Sequence, residues 1–386
     1  MKRKLLYVTG SRAEYGIMKR LLLSLSKDDE IELSIIATGM HCDAKYGLTY
    51  KVIESDGLHI DKLIDININN DTNANVLESM AVCQSKFGVF FQNNKFDAVM
   101  LLGDRYEIFS VAIAAAIHNL PIIHLHGGEK TLGNYDEFIR HAITKMARLH
   151  LASTEEYRNR IIQMGEYPNT VFNIGALGAE NALLMDLPSK KTLEEKFGSL
   201  SNPYFMVVFH PETLTNVSLI SQTKELLQAL YQFTEKYNFV FIGSNSDTGS
   251  DDITRELQVF CRETASRFFT SVKPEEYLAL NKYSNGLIGN SSSGLIEVPS
   301  LKVPTVNIGD RQKGRVRGAS VIDCECAEIA ITEAINSSQE KHFLNNTRTA
   351  VNPYYKHAVL ETALKIIKNY LSLKLDTYKD FYDINS

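Results

Sequence analysis

The chain has 386 residues, with 41 basic and 46 acidic side chains and a formal net charge of −5 at pH 7. Its apolar content of 44% and charged content of 23% are typical of globular proteins, and they exclude a disordered chain, a collagen-like fibre and a coiled coil. The acidic balance argues against nucleic-acid binding through a broad basic face, and the length predicts about two or three domains.

The cysteines and the N-terminus indicate a cytoplasmic location. The five cysteines are odd in number and widely spaced, with no CxxC pair, which is typical of reduced thiols. The basic residues 2–4 are followed by an apolar run too short for a signal peptide. No apolar run approaches the ~18 residues of a membrane helix. We therefore expect a cytoplasmic protein without membrane contact.

In the first half of the chain, short apolar runs alternate with helical patterns. The predicted strands are 4–9, 32–38, 96–102, 121–125, 149–152 and 170–174, and the predicted helices are 13–25, 106–118, 137–147 and 155–164. Strands that are apolar throughout and separated by helices are typical of a parallel sheet that is covered on both faces.

A polar, proline-containing segment at 186–202 predicts a linker, after which the pattern restarts. The predicted strands are then 204–209, 239–242, 268–272, 286–289 and 304–308, and the predicted helices are 219–236, 252–265, 275–283, 293–300 and 355–373. We predict an α/β fold with two doubly wound, Rossmann-like domains that face a cleft, at 1–185 and 186–354, with the segment 355–386 packing on the first. Ligands of such sheets bind at the carboxyl ends of strands.

The turns after two first-domain strands carry charged residues. Residues 10–16 join a strand to a helix, where free N–H groups and Arg12 favour an anion, although two glycines of the dinucleotide fingerprint are missing. Asp104 and Arg105 follow another strand and suit proton transfer and phosphate binding. A capped turn and a structural Asp–Arg pair are the alternatives.

The next strand ends in two histidines, two glycines and an acid. Alternation places His124 and His126 on one strand face, but a zinc site lacks a clear third ligand, so we predict no metal. Glu129 and Asp136 supply acids in the following loop, where Asp136 could instead cap the next helix.

Polar residues also follow the strands of the second domain. His210 stands at a strand end fixed by Pro211, where it can meet a phosphate or a leaving group. The loop 243–252 lacks the spacing of a calcium loop. The serine-rich turn 289–297 can cradle a diphosphate, with Glu297 accepting hydrogen bonds from a ribose, and Arg311 follows the next strand as a further cation.

Seven segments in the same order carry a family resemblance. They are GSRAEYG from residue 10, TGMHCD from 38, LGDRYE from 102, HGGE from 126 with DEFIRH from 136, FHPET from 209, IGNSSSGLIEVPS from 288 and NIGDRQKGR from 307. Over almost its full length the chain resembles hydrolysing UDP-N-acetylglucosamine 2-epimerases of the bacterial capsule type. The resemblance implies the GT-B-like fold and conversion of UDP-N-acetylglucosamine and water into N-acetylmannosamine and UDP, the first step of sialic acid biosynthesis.

The resemblance also implies roles for individual residues. The catalytic candidates are Asp104, Glu129, Asp136, His126 and His210. The candidates for binding UDP and substrate are Arg12, Ala13, Arg105, His210, Asn245, Asp247, Val272, Asn290, Ser291, Ser292, Glu297, Arg311 and Gln312. Asp104 is the predicted base, and Asp136 or Glu129 handles the second proton transfer. Many relatives carry Glu in place of His126, and the loop up to Asp136 is one residue longer here.

Four alternative functions remain compatible with the sequence. The alternatives are a non-hydrolysing epimerase, a hydrolysing epimerase of a UDP-2,4-diacetamido-trideoxyhexose, a GT-B glycosyltransferase and a nucleotide-sugar sensor. We expect no cofactor, no nucleic acid and a small-molecule substrate, and the resemblance implies a homodimer or homotetramer. Residues 76–92 are apolar enough to contribute to such a contact or to form a core helix.

Overall fold

The computed structural model describes residues 2–373 and 378–384, and the chain divides into two compact units. Unit 1 comprises Met1–Glu129, Asp136–Leu177 and Lys356–Ser386, and unit 2 comprises Lys130–Tyr135 and Gly178–Tyr355. Within residues 2–373 and 378–384, none of the helices combines the length and apolar character that a membrane crossing requires.

Unit 1 contains a seven-stranded parallel sheet. Its strands are β1 (Arg3–Thr9), β2 (Ile31–Thr38), β3 (Lys62–Ile64), β4 (Ala98–Leu102), β5 (Ile122–Leu125), β6 (Leu149–Ala152) and β7 (Val171–Asn173), in the order β3-β2-β1-β4-β5-β6-β7. Strand β4 is buried along its whole length, as expected for a strand covered by helices on both faces. The short edge strand β3 was not predicted, because three residues carry too little pattern.

Six helices follow the strands of unit 1. They are α1 (Arg12–Leu25), α2 (Tyr50–Ser55), α3 (Asn73–Asn93), α4 (Tyr106–Ile117), α5 (Asp136–Met146) and α6 (Glu155–Gln163). Helix α3 buries Cys83 and Phe87 while Leu77 and Val89 stay exposed, so the apolar segment 76–92 forms a core helix with an apolar outer side.

Unit 2 repeats the arrangement with six parallel strands. The strands are β8 (Tyr204–Val208), β9 (Asn238–Ile242), β10 (Arg267–Phe269), β11 (Leu287–Gly289), β12 (Thr305–Ile308) and β13 (Val321–Cys324), in the order β10-β9-β8-β11-β12-β13. The helices are α7 (Leu177–Leu184), whose first residue belongs to unit 1, α8 (Lys190–Phe197), α9 (Leu219–Tyr231), α10 (Ser250–Glu263), α11 (Pro274–Lys282), α12 (Ser293–Ile296), α13 (Glu328–Ser338) and α14 (Lys341–Thr349).

The boundary between the units differs from the predicted one. It lies between Leu177 and Gly178, because Gly178 already packs in unit 2, where a Cβ would lie 2.4 Å from Glu297 Oε1. The predicted linker contains α8, whose residues Leu193 and Phe197 are buried in the core of unit 2. The polar sequence of α8 is one face of an amphipathic helix that Ser189 caps.

Among the predicted elements of unit 2 that are shorter than expected, two carry candidate site residues. The predicted strand 268–272 ends at Phe269, so Val272 lies in the connection to α11. The predicted helix 293–300 is split into α12 and a 3-10 turn at Val298–Leu301, which contains Pro299. Proline has no N–H for the α-helical hydrogen bond and therefore interrupts the helix.

The last helix, α15 (Val359–Ser372), packs in the core of unit 1. Its residues Val359, Ala363 and Ile367 are fully buried in the same cluster as Leu21 and Leu25 of α1. Unit 1 is therefore completed only by the C-terminal part of the chain.

Both sheets reverse their strand order at one position. In unit 1 the reversal lies between β1 and β4, and in unit 2 between β8 and β11. At such a switch point the loops leave the sheet in opposite directions and open a crevice at the carboxyl ends of the strands. The residues after these four strands are therefore the first place to look for a functional site.

Candidate functional site

The turn after β1 is stabilised by a buried carboxyl group. Ser11 caps α1 by accepting a hydrogen bond from Glu14 N, and Glu14 Oε2 accepts hydrogen bonds from Gly10 N at 2.7 Å and Ser11 N at 3.2 Å. Arg12 and Ala13 are the first two residues of α1, and Ala13 is exposed. The turn thus presents a helix N-terminus and one cation at the switch point of unit 1.

A second carboxyl group, that of Glu107, packs against the same turn. Glu107 is fully buried, a Cβ on Gly10 would lie 2.5 Å from Glu107 Oε1, and that oxygen accepts a hydrogen bond from Arg105 Nε at 2.5 Å. Burial, and next the negative charge of Glu107, raise the pKa of Glu14 to about 8. Arg105 is thus anchored beside the turn by a buried acid that was not predicted as a site residue.

Asp104 is held by a fully buried arginine. Arg140 Nη2 donates to Asp104 Oδ2, and Arg140 Nη1 donates to Glu129 O at 3.1 Å and Glu137 Oε2 at 3.3 Å. One guanidinium therefore connects the end of β4, the loop after β5 and helix α5. Asp136 is the first residue of α5 and is partly buried.

The two histidines of β5 and its loop do not share a strand face, contrary to the prediction. His124 lies in β5 and is fully buried, with Nε2 2.8 Å from Gly103 O and Nδ1 3.2 Å from Thr144 Oγ1. Burial lowers the pKa of His124 to about 3, so the ring is neutral. His126 follows the end of β5 with φ 62°, and its Nδ1 lies 2.8 Å from Glu129 Oε1.

In unit 2, His210 and Asn290 connect the two strands at the switch point. His210 N donates to Asn290 Oδ1 at 2.7 Å, and Asn290 Nδ2 donates to His210 O at 2.9 Å. His210 Nδ1 lies 2.8 Å from Ser244 Oγ and accepts a hydrogen bond from Asn245 N at 3.4 Å. Because a backbone N–H can only donate, Nδ1 is an acceptor and the proton of the neutral ring is on Nε2.

A second cluster of unit 2 surrounds the turn after β12. Arg311 Nη1 and Gln312 Nε2 donate to Asn290 O at 3.2 and 2.8 Å, and Arg311 Nη2 lies 3.9 Å from Asp247 Oδ2. Glu212 Oε1 accepts hydrogen bonds from the backbone N–H groups of residues 310 and 311, and burial raises the pKa of Glu212. The structure thus gathers Asn290, Arg311, Gln312 and Asp247 in one cluster.

The serine-rich turn after β11 forms a chain of hydroxyl groups. Ser291 Oγ lies 3.1 Å from Ser293 Oγ, which in turn lies 2.5 Å from Tyr277 Oη, and Ser292 precedes the first residue of α12. Glu297 ends α12 and is buried against Gly178, and Val272 is buried before α11. Tyr277 was not predicted, because only the tertiary structure brings α11 to this turn.

Arg140, Glu107, Glu212 and Ser153 were not predicted as site residues. The motifs that carried the family resemblance contain the first three, as IRH, DRYE and HPET. These three residues could therefore have been predicted as site residues from their charge and their position inside the motifs. Ser153 had no signal of its own, because it lies 24 residues from its partner Glu129.

Two parallel sheets, each with polar and charged side chains at its switch point, define a GT-B-like protein built from two Rossmann-like units. The structure of a Neisseria meningitidis UDP-GlcNAc 2-epimerase bound to UDP-GlcNAc has the same fold, with a TM-score of 0.79, 17% identity, and coverage of 95% of this chain and 100% of that one.

Relatives with similar sequences define the family of the chain. It is 60% identical over 382 residues to the polysialic acid biosynthesis protein P7 of Escherichia coli, covering 99% of this chain and 98% of that protein. It is 37% identical over 392 residues to a GDP/UDP-N,N′-diacetylbacillosamine 2-epimerase (hydrolyzing) of Campylobacter jejuni, covering 99% and 100%. The profile of UDP-N-acetylglucosamine 2-epimerases matches residues 23–368, and the chain belongs to this family.

Proposed function

We propose that this chain is a hydrolysing epimerase that converts UDP-N-acetylglucosamine and water into N-acetylmannosamine and UDP, at the start of sialic acid biosynthesis. The observation that carries the proposal is the Asp104 carboxylate paired with the fully buried Arg140 guanidinium. A guanidinium favours the charged form of a carboxylate beside it, which is the form that accepts a proton. The name of the Escherichia coli relative supports the link to polysialic acid.

The chemistry requires a base that acts as the leaving group departs. The proton on C2 of the sugar is barely acidic, and it becomes removable only as the bond from C1 to UDP breaks. In the proposal Asp104 takes that proton, UDP leaves, and 2-acetamidoglucal remains. Addition of water at C1 and protonation of C2 from the opposite face then give the mannose configuration. Asp136 or Glu129 is the predicted second proton-transfer group.

The remaining predicted residues serve the nucleotide. Arg12, Ala13 and Arg105 of unit 1 are proposed to contact the diphosphate. The proposed UDP-binding residues of unit 2 are His210, Asn245, Asp247, Val272, Asn290, Ser291, Ser292, Glu297, Arg311 and Gln312. Cations and N–H groups fixed in place stabilise the charge that develops on departing UDP, and this route uses no cofactor or metal. The cytoplasmic location and the homodimer or homotetramer stay predictions.

A second candidate substrate is a UDP-2,4-diacetamido-trideoxyhexose. The Campylobacter jejuni relative, which is 37% identical, is named as an epimerase of N,N′-diacetylbacillosamine linked to GDP or UDP. Parallel assays with UDP-N-acetylglucosamine and the diacetamido sugar separate the two candidates, because the preferred substrate has the higher kcat/KM.

The direct test is the reaction of UDP-N-acetylglucosamine in deuterium oxide, followed by NMR. We expect free UDP and N-acetylmannosamine that carries deuterium at C2. Product that retains the original hydrogen at C2 would refute elimination and hydration. Formation of UDP-N-acetylmannosamine without free UDP would instead identify a non-hydrolysing epimerase.

A further inference from the structure

His126 and Glu129, in the loop after β5, form a hydrogen-bonded cluster with Ser153, which follows β6 in unit 1. Glu129 Oε1 lies 2.8 Å from His126 Nδ1 and accepts a hydrogen bond from Ser153 Oγ, also at 2.8 Å. Arg140 Nη1 donates to the backbone oxygen of Glu129, which ties the cluster to the arginine that holds Asp104. The cluster is therefore part of the same network as the proposed base.

The two titratable groups of the cluster, His126 and Glu129, differ in exposure. The Glu129 side chain is fully buried, whereas the His126 side chain retains 10% exposure. None of residues 2–373 and 378–384 provides a hydrogen-bond partner for His126 Nε2, and this nitrogen is not buried. A ligand can thus reach the imidazole but not the carboxylate behind it.

The backbone holds His126 in a strained conformation that produces this arrangement. Its φ of 62° lies in the left-handed region, which residues with a Cβ rarely adopt. The next two residues are glycines in contact with their surroundings: a Cβ on Gly127 would lie 2.8 Å from Thr144 Oγ1, and one on Gly128 2.5 Å from Tyr157 O. Strain of this kind persists where the surrounding structure enforces it, and it is concentrated at functional sites.

We propose that His126 delivers the second proton of the reaction, and that Glu129 and Ser153 are positioning residues that act through it. This inference rests on the proposed function and chooses a group other than the two acids considered there. A carboxylate on Nδ1–H fixes the tautomer and the orientation of an imidazole, which leaves Nε2 to exchange a proton with the ligand.

The step balances without another reactant. The imidazolium donates its Nε2 proton to C2 of 2-acetamidoglucal, and the electrons of the C1–C2 double bond form the new C–H bond. The oxygen of water bonds to the cationic C1, and the proton released by that water restores the imidazolium. The proton that Asp104 removed earlier passes to solvent, so the net reaction consumes one water and releases UDP.

A double-mutant cycle distinguishes action through His126 from direct action of Glu129. His126→Asn keeps a donor where Nδ1 lies and removes Nε2, and Glu129→Gln keeps an acceptor and removes the charge. We expect kcat to fall about 10²- to 10⁴-fold in H126N and about 10- to 100-fold in E129Q, with KM changed less than about threefold. The double variant should be no slower than H126N, and Ser153→Ala should lower kcat less than E129Q does.

The chain offers a matched control in a second buried Glu–His pair. Glu166 Oε2 lies 3.0 Å from His150 Nε2, and both side chains are buried in unit 1. Glu166→Gln therefore makes the same chemical change at a buried pair outside the site, where Glu166 also pairs with Lys145 and Lys379. We expect its kcat per folded molecule to equal that of the wild type. A loss equal to that of E129Q would assign the effect to stability and overturn the proposal.

The imidazole nitrogen shifts of His126, measured by NMR on the whole protein without substrate, provide a readout besides activity. We expect the neutral ring to carry its proton on Nδ1 in the wild type, and E129Q to change this pattern. A proton on Nε2 of the neutral ring would overturn the proposal. A double variant whose fold-loss in kcat equals the product of the losses in H126N and E129Q would also overturn it. A wild type that releases no UDP from UDP-N-acetylglucosamine would overturn both the proposed function and this role of His126.

Discussion

The carboxylate of Asp104 is held in place by a hydrogen bond from Arg140. The guanidinium is fully buried and contacts Asp104, Glu137 and the backbone of Glu129, so it fixes three segments at once. An arginine buried with several acceptors is rigid, because its planar group donates in fixed directions. The position of the proposed base is therefore set by residue 140 as much as by its own strand.

Replacing Asp104 with Asn tests the base. We expect kcat to fall about 10²- to 10⁴-fold, because the amide cannot accept the C2 proton, while UDP affinity changes little. Steady-state kinetics and calorimetric titration with UDP measure the two quantities. Asp97→Asn is the matched control, because Asp97 precedes the same strand and pairs with Arg3 at the surface. Near-normal turnover of D104N would remove Asp104 from the catalytic group.

Glu14 makes stability depend on pH. Burial, and next the charge of Glu107, raise its pKa from 4.5 to about 8, so between these values the folded chain binds more protons than the unfolded chain. Stability must then fall as pH rises through this window, by up to about 1.4 kcal/mol per pH unit. We expect Glu14→Gln to remove this part of the pH dependence when urea unfolding is measured between about pH 5 and about pH 9.

The control for this measurement is Glu54→Gln on helix α2, where the side chain is exposed. It should follow the wild-type curve at every pH. Identical slopes for the wild type and E14Q would mean that Glu14 is ionised in the folded protein at neutral pH.

At the scale of elements, the turns after the strands depend on close packing. Gly10 directly follows β1 and packs against the buried Glu107, which is itself bound to Arg105. Gly88 lies within helix α3, and a Cβ there would meet nothing within 4 Å. A side chain at position 10 would therefore clash with its surroundings, whereas one at position 88 would not.

Alanine at these two positions should have opposite effects on stability. We expect Gly10→Ala to lower the free energy of unfolding by about 1–3 kcal/mol, because the new methyl group overlaps Glu107. Gly88→Ala should raise it by about 0.5–1 kcal/mol, because alanine loses less backbone entropy in a helix. Urea unfolding of both variants measures the difference, and a stabilising Gly10→Ala would contradict the packing described for this turn.

At the scale of the whole molecule, unit 1 depends on the end of the chain. Helix α15 contributes Val359, Ala363, Ile367 and Leu371 to its core. Beyond it, Lys379 Nζ lies 2.7 Å from Glu166 Oε2, and Tyr382 N donates to Gly165 O at 2.9 Å. The first unit is thus assembled from segments at both ends of the sequence.

Removing residues 356–386 should prevent unit 1 from folding. Each buried aliphatic side chain of α15 contributes about 1.5–3 kcal/mol, and their sum is comparable to the total stability of about 5–15 kcal/mol of a typical domain. Hydrogen exchange followed by mass spectrometry should show loss of protection in β1 and β4. Leu373→Ala, at an exposed position just after α15, should leave that protection unchanged. Protected strands in the truncated chain would contradict this account.

Most of the architecture can be predicted from the amino-acid sequence. Apolar runs of strand length, each ending in glycine or a polar motif and followed by a helical pattern, specify a doubly wound sheet through short-range preferences and burial. The same runs located Asp104, His210 and Asn290 at strand ends, because a motif follows its strand directly.

The contacts between side chains of the site depend on the folded chain and could not be predicted from the sequence. Arg140 reaches Asp104 across 36 residues, and Ser153 reaches Glu129 across 24. The left-handed turn at His126, which separates it from the face of His124, depends on packing around Gly127 and Gly128. Such contacts join segments that are distant along the chain, and no local pattern encodes a distance in space.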